Sequence, residues 1–422
     1  MSATQQVLLA AGAQATAAIN GALAYRTTSQ AAGVLGFPSE SYDNGVWHDT
    51  SSNTSRLVVP SGVSLARYGG CYHPSGSTTA YMPTIKNGST FRGMPYPFRE
   101  TDSVAAVYGY SGVLAVSAAD YFQLNPTTNI AADNYGNWGQ IEALDAATKY
   151  ALVYKSGTQS LSAATTTTLT WDSELADTDA FHDNVTNNSR FTVPSGVTRV
   201  RISANVQTSV FTGQSVMVFL KNGALAFAGA PRQEVDAGTN QAKPCNAISA
   251  ILEVTPGDYF EVQFFTTAAS TIQNGNDTWF CIEEVPDYVR ALVGKSATQS
   301  TTAATPVVMA WGAETYDASN LHDNTTNNSR ITVPSSVTYG RVGFCIHNQS
   351  VAGHLKARTL LNGSPFVGMV YADVDTGGVD SASGLTAWVP VTAGQYFEIE
   401  VTTQNNSVID SVATTWFFAE FR

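Results

Sequence analysis

Charge is scarce in this chain of 422 residues: Asp, Glu, Lys and Arg make up 13% of it, and 33 acidic residues outnumber 21 basic ones, for a formal net charge of −12. A nucleic-acid backbone is bound through clustered Lys and Arg, so nucleic acid is not an expected partner. The deficit is even along the chain, with 6 basic against 9 acidic residues in 1–147, 8 against 14 in 148–288 and 7 against 10 in 289–422. Cysteine is equally sparse. Cys71, Cys245, Cys281 and Cys345 do not recur as a pair within any repeat, which argues against a disulfide framework. A Cys245–Cys281 bridge is one reading of their spacing, and thiols in or near β cores are the other. No apolar run approaches the roughly 20 residues of a membrane helix. The segment Met1–Asn20 places no Lys or Arg before its apolar residues, as a secretory signal would.

What the chain does contain is a repeat, and a fixed period decides architecture before any residue is given a role. Val185-Thr-Asn-Asn-Ser-Arg-Phe-Thr-Val-Pro-Ser-Gly-Val-Thr returns as Thr325-Thr-Asn-Asn-Ser-Arg-Ile-Thr-Val-Pro-Ser-Ser-Val-Thr, and more loosely from Ser51 as Ser-Ser-Asn-Thr-Ser-Arg-Leu-Val-Val-Pro-Ser-Gly-Val-Ser. Each copy follows a His-Asp pair, at His48, His182 and His322, with offsets of 134 and 140 residues. Asn87-Gly, Asn222-Gly and Asn362-Gly keep offsets of 135 and 140, and the Tyr-Phe pairs at Tyr121, Tyr259 and Tyr396 keep 138 and 137. Trp138, Trp279 and Trp416 close the copies. These offsets divide the chain into an arm over 1–21 and modules over 22–147, 148–288 and 289–422, the first of them divergent.

Within a module the apolar period is two, the signature of half-buried strands. Val200, Ile202, Ala204 and Val206 alternate with polar neighbours, as do Phe260, Val262 and Phe264. Asn-Gly marks a type I′ hairpin, because both central residues of that turn need positive φ. Short strands, regular turns and no long helical pattern predict an all-β chain of three tandem antiparallel β-sandwich (jelly-roll) domains.

The string of His-Asp, a polar loop, Ser-Arg, an apolar residue, Val-Pro-Ser-Gly-Val, an alternating strand and an Asn-Gly hairpin resembles a known group. It looks like the tumour-necrosis-factor-like jelly roll, in the form related to complement globular heads and found in bacteriophage virion proteins. The resemblance covers 148–422 and is looser over 22–147, where Phe37 stands in place of Trp171 and Trp311. It implies assembly around a threefold axis, either by three chains or by the three copies of one chain. It also implies a place in a fibre, a tail-tip appendage or a head decoration. The expected function is therefore a non-enzymatic virion structural protein of tail-fibre or tail-tip type, made in the host cytoplasm and displayed on the virion surface. A head-decoration or cement protein, and a carbohydrate-binding or carbohydrate-active protein, are the rival readings.

The repeated polar residues offer one catalytic pairing. His48-Asp49, His182-Asp183 and His322-Asp323 pair an imidazole with a carboxylate, as a general base would. Neighbours in a strand point to opposite faces, however, and no nucleophile repeats beside them. The expected role is loop closure, with Asp accepting backbone N–H bonds and Arg56, Arg190 and Arg330 pairing with that carboxylate or with strand-end carbonyls. Asp177, Asp179 and Asp183 are too few oxygens by spacing to promise calcium, and no Cys/His spacing suits zinc. No catalytic residue, metal or cofactor is therefore assigned. The candidate interface is the Pro/aromatic segment of the first module, with Tyr81, Phe91, Tyr96 and Phe98, whose prolines have no equivalents in the other copies. Aromatic anchors of this kind are enriched in interface cores. The arm, apolar and uncharged, is expected to attach the protein to other virion proteins together with module 1, leaving Thr/Asn/Ser-rich surfaces for host glycans.

Overall fold

Each repeat begins and ends with strands that pair with one another at the centre of a sheet. Gly21–Tyr25 pairs with Trp138–Ala143, Tyr150–Tyr154 with Trp279–Glu284, and Val289–Gly294 with Trp416–Phe421, all antiparallel. The computed structural model describes residues 19–76, 79–99, 106–225, 227–242, 244–349, 353–376 and 380–422, so the arm over 1–21 lies outside the described residues as far as residue 18.

The second repeat shows the topology most fully. One sheet runs in the order Ser173–Asp177, Tyr150–Tyr154, Trp279–Glu284, Arg199–Gln207, Pro244–Ile248. The facing sheet runs Thr165–Thr168, Tyr259–Thr266, Phe211–Lys221, Arg232–Gln241, with Phe191–Thr192 also on Tyr259–Thr266. The third repeat keeps this order, and the first keeps it in the inner sheet, whereas its facing sheet runs Leu57–Val58, Tyr121–Leu124, Thr84–Lys86, Ser89–Thr90, and Ala80–Tyr81 pairs separately with Phe98–Arg99. Two facing antiparallel sheets whose strands cross between layers in this order form a jelly roll, and the chain is all-β.

The two sheets differ in what covers them. In the outer sheet Tyr259–Thr266 alternates strictly between buried and part-exposed residues, as one wet face requires. In the inner sheet every residue of Leu65–Tyr72 and Trp416–Phe421 is buried, and Arg199–Gln207 is buried except at its two ends. The period-two reading of this strand as half-buried is thereby corrected. Its polar residues Arg201, Ser203 and Asn205 are as enclosed as its apolar ones, because the face they form is covered by another repeat. The apolar clusters cross the repeats accordingly, with Leu23 and Trp138 packed among third-repeat side chains and Leu152 and Trp279 among first-repeat ones.

The same pair of contacts recurs at all three junctions. Trp279 Nε1 donates to the Met94 carbonyl (2.8 Å), Trp416 Nε1 to the Ala230 carbonyl (2.8 Å) and Trp138 Nε1 to the Met369 carbonyl (2.9 Å). The residue before each acceptor is a glycine, Gly93, Gly229 or Gly368, at φ between 84° and 92°. A Cβ there would lie 2.8 Å from Leu152, 3.2 Å from Leu292 and 3.2 Å from Leu23 respectively, each in the adjoining repeat. The glycine both takes the left-handed conformation and lets the next repeat's leucine approach.

Turns repeat as faithfully. Asn87, Asn222 and Asn362 hold φ of 52°, 53° and 50°, each followed by a glycine at positive φ, as the Asn-Gly hairpins require. The four cysteines are buried and outside any disulfide, so the Cys245–Cys281 bridge is not formed. One turn position departs from its equivalents in chemistry. Val46 sits at φ 61° where the other repeats have Ala180 and Asn320, and it is 84% exposed. A β-branched side chain is strained there, and no packing compensates it. Val46→Asn is expected to raise unfolding free energy by about 1 kcal/mol in urea titrations; no gain would mean that the turn relaxes around valine.

Candidate functional site

The inner sheets place one arginine directly opposite one glutamate in every repeat. Arg67 pairs in register with Glu142, Arg201 with Glu283 and Arg341 with Glu420. All six side chains are at most 6% exposed. Each arginine also reaches the glutamate of the next repeat. Arg67 bonds Glu142 (2.9 Å) and Glu283; Arg201 bonds Glu420 (2.7 Å) and stands 3.9 Å from Glu283; Arg341 bonds Glu420 (2.6 Å) and Glu142 (2.7 Å). The result is a closed ring in which three cations and three anions alternate, and every junction between repeats is spanned by an ion pair.

The ring is not uniform. Trp388 Nε1 donates to Glu142 Oε2 (2.8 Å), the Arg341 guanidinium lies 4.4 Å from the Trp388 ring centre, and Arg422 adds a contact at 3.8 Å. Burial works against charge on Glu142, yet Arg341, Arg67 and Arg422 overturn it and hold this carboxyl far below the usual range. Glu420 is likewise lowered against its burial, by Arg201 and Arg341. At the long edge the balance reverses: burial pushes Glu283 up and Arg201 down despite their oppositely charged neighbours. The ring floors a cavity of about 730 Å³ beside the links between repeats, near Asp145, Pro286 and Tyr288.

The sequence motif lies elsewhere, at the loop before each Ser-Arg strand. His48 Nε2 donates to the Thr54 carbonyl (2.9 Å) while Nδ1 faces Glu40 (2.7 Å). His182 repeats this with Asn188 (3.2 Å) and Glu174 (3.0 Å), and His322 with Asn328 (3.1 Å) and Glu314 (3.1 Å). All three imidazoles have 0% side-chain exposure, so both nitrogens are engaged inside the protein. The partner glutamate eight residues upstream was missed in the sequence, although it recurs at a constant offset.

Asp49 accepts from the amides of Ser51 and Ser52, Asp183 from Val185 and Thr186, and Asp323 from Thr325 and Thr326. In the third repeat these donors hold the exposed Asp323 at about 2. The pairing expected for the arginines is corrected. Arg190 and Arg330 reach Glu261 (3.4 Å) and Glu398 (3.3 Å) and lie over Tyr259 and Tyr396, while Arg56 lies over Tyr121, 4.1 Å from its ring centre. A strand tyrosine takes up the guanidinium, and Asp of the His-Asp pair faces its own loop. Of the acidic trio weighed for calcium, Asp177 accepts from the amides of Phe181 and His182 and Asp179 pairs with Lys149 (2.9 Å). Among the described residues no group of three or more metal-binding side chains gathers.

The Pro/aromatic segment packs on the second repeat of the same chain, and its prolines are not all without equivalents as expected, since Pro95 after Gly93-Met94 matches Pro231 after Gly229-Ala230. The Tyr96 amide donates to Asn205 Oδ1 (3.1 Å), the Tyr81 hydroxyl to the Ala242 carbonyl (3.4 Å), and the two rings lie 5.8 Å apart. Phe91 lies under the Lys86 ammonium at 4.8 Å, and Phe98 falls in the short strand Phe98–Arg99, its side chain outside the described residues.

Leaving one buried charge of the ring without its partner costs about 3–5 kcal/mol. Glu142→Gln, which takes one of two carboxylate partners from both Arg341 and Arg67 and leaves the ring with one uncompensated positive charge, is expected to destabilise by that amount in urea titrations. Because Glu142 and Glu420 are depressed, their contribution is complete above the ordinary carboxylate value and is lost as pH falls below it. The wild-type chain should therefore begin to lose stability as pH falls through about 5 and go on losing it below about pH 3, toward the depressed folded-state values, with a shallower slope in Glu142→Gln. A variant as stable as wild type, with the same acid limb, would show that the ring contributes nothing.

No protein-family model and no curated protein sequence matches this chain. Among solved structures, murine APRIL at pH 8.5 is similar over 33% of this chain and 99% of its own, at 10% identity and a TM-score of 0.26. A structure of the triple jelly roll fold and turret assembly in an archaeal virus is similar over 95% and 89%, at 10% identity and a TM-score of 0.19. One of Sulfolobus Turreted Icosahedral Virus is similar over 95% and 90%, at 8% identity and a TM-score of 0.21. The jelly-roll assignment rests on the strand order of each repeat.

Proposed function

We propose that this chain is a non-enzymatic bacteriophage virion structural protein, a surface appendage of tail-fibre or tail-tip type in which one chain forms a complete three-lobed head. The observation that carries this reading is the closed ring of Arg67, Glu283, Arg201, Glu420, Arg341 and Glu142, which ties each jelly roll to both others. A threefold arrangement that other proteins of this shape reach with three chains is reached here within one. The repeated polar residues support a structural role, since the His and Asp of each copy close a loop and the Arg packs over a strand tyrosine.

The aromatic segment of the first repeat touches the second through Tyr81 and Tyr96 and keeps these rings part-exposed, so attachment to other virion proteins is assigned to the arm over 1–21 together with this segment. The exterior, rich in Thr, Asn and Ser, is left for the host surface. Sedimentation equilibrium of the purified chain is expected to give one chain mass, 44.7 kDa, and three times that mass would contradict the one-chain head. In labelled particles the protein should stand at the tail in a few to some tens of copies; hundreds over the capsid would transfer it to the head. A chain lacking residues 1–18 should fold but fail to join particles, and normal incorporation would remove the arm from the attachment role.

A further inference from the structure

The outer sheets of the second and third repeats have the same register and opposite surfaces. In the third repeat Arg358 stands beside Glu400 and Lys356 beside Thr402, and Arg358 closes on Glu400 at 2.6 Å. At the matching places of the second repeat Val218 stands beside Gln263 and Val216 beside Phe265. The neighbouring strand continues the contrast. Lys356 pairs across to Asp373, 3.8 Å from it, whereas Val216 pairs across to Glu234 and Val218 to Arg232. Where one repeat covers its outer face with ion pairs, the other leaves an apolar floor.

That floor is the bottom of a groove of about 820 Å³ between the second and third repeats. The volume falls within the roughly 300–1,000 Å³ of small-molecule sites. Leu225, 56% exposed, and Val412, 37% exposed, flank it. Two exposed aliphatic side chains beside a sunken apolar floor form a continuous surface unusual on a chain of this polarity.

One cation, Arg232, lines this surface, and its ion pair with Glu234 is a loose one. Arg232 Nε is buried without a hydrogen-bond partner, and Glu234 Oε2 stands 3.6 Å from Arg232 Nη2, beyond hydrogen-bond length. Glu234, also in the lining, is 3% exposed and accepts from Gln214. His347 of the third repeat lines the opposite side, and burial together with Arg232 pushes its imidazole toward the neutral form. A guanidinium at the edge of an apolar trough matches a ligand with an apolar chain and one carboxylate, since the fork of donors fits a carboxylate and the floor removes the chain from water.

We propose that the groove over Val216, Val218 and Phe265 is a binding site for a medium-chain fatty acid, with its carboxylate on Arg232. The site is independent of where on a particle the protein stands.

The test is calorimetric titration of the full chain with decanoate, with decanol as the uncharged counterpart. One saturating site is expected, with Kd on the order of 100 µM for a ligand of this size, and decanol at least tenfold weaker. Arg232→Gln should abolish the preference for decanoate over decanol. Val218→Thr keeps the β-branched shape at a part-buried place on the floor and makes it polar; it should fold with a melting temperature close to that of the wild type and weaken decanoate and decanol alike by a few-fold. Absence of saturable binding, equal affinity for decanol, or affinity unchanged in either variant would overturn the proposal.

Discussion

Six charges buried in one ring set the terms for the whole molecule. Taking a carboxylate or a guanidinium out of water costs several kcal/mol, and the cost is offset only when each charge meets an oppositely charged partner with its hydrogen bonds satisfied. In each repeat the cross-strand partner alone leaves that condition half met, because a guanidinium has more donors than one carboxylate oxygen accepts. The second partner comes from the next repeat. A single repeat standing alone would present an apolar inner sheet with an incompletely paired Arg–Glu couple at its centre, so the three repeats are bound to one another by electrostatic necessity as well as by apolar burial.

The features around the ring follow from this closure. The inner sheets must approach closely enough for side chains four bonds long to meet, and the three glycines before Met94, Ala230 and Met369 permit it. The three tryptophans then fix the approach, each with its indole N–H on a carbonyl of the adjoining repeat. The repeats differ both at one corner of the ring and on the outer faces. The corner at Glu142 has gained Trp388 and Arg422, and the outer faces of the second and third repeats have become apolar and ionic respectively. Equal lengths of scaffold thus carry unequal surfaces.

How much of this was legible in the sequence depends on which face of a strand a residue occupies. The Asn-Gly turns and the Asp of each His-Asp pair are local signals whose physics acts within a few residues, and the structure shows the corresponding turns and caps at all three places. Arg67, Arg201 and Arg341 were invisible as a set. They alternate with apolar residues, and alternation reads as a solvent face unless something beyond the strand covers it. Their glutamates lie 75, 82 and 79 residues away, too distant for any spacing rule. The histidines mislead in the opposite sense: an imidazole beside a carboxylate suggests catalysis, whereas the carboxylate that matters is the glutamate eight residues upstream. The substitution of Phe37 for Trp171 and Trp311 also becomes intelligible. The indole N–H of each tryptophan is buried without a partner, so phenylalanine removes a group that the site does not use.

The central claim is that the ring makes three repeats one cooperative unit, and native-state hydrogen exchange tests it most directly. The inner-strand amides of 65–72, 199–207 and 339–348 should open with one common free energy, and Glu142→Gln should lower it equally in all three, although Glu142 touches only the first and third. Exchange in which 199–207 keeps its wild-type protection while the other two strands lose theirs would contradict the account, because the second repeat would then stand by itself.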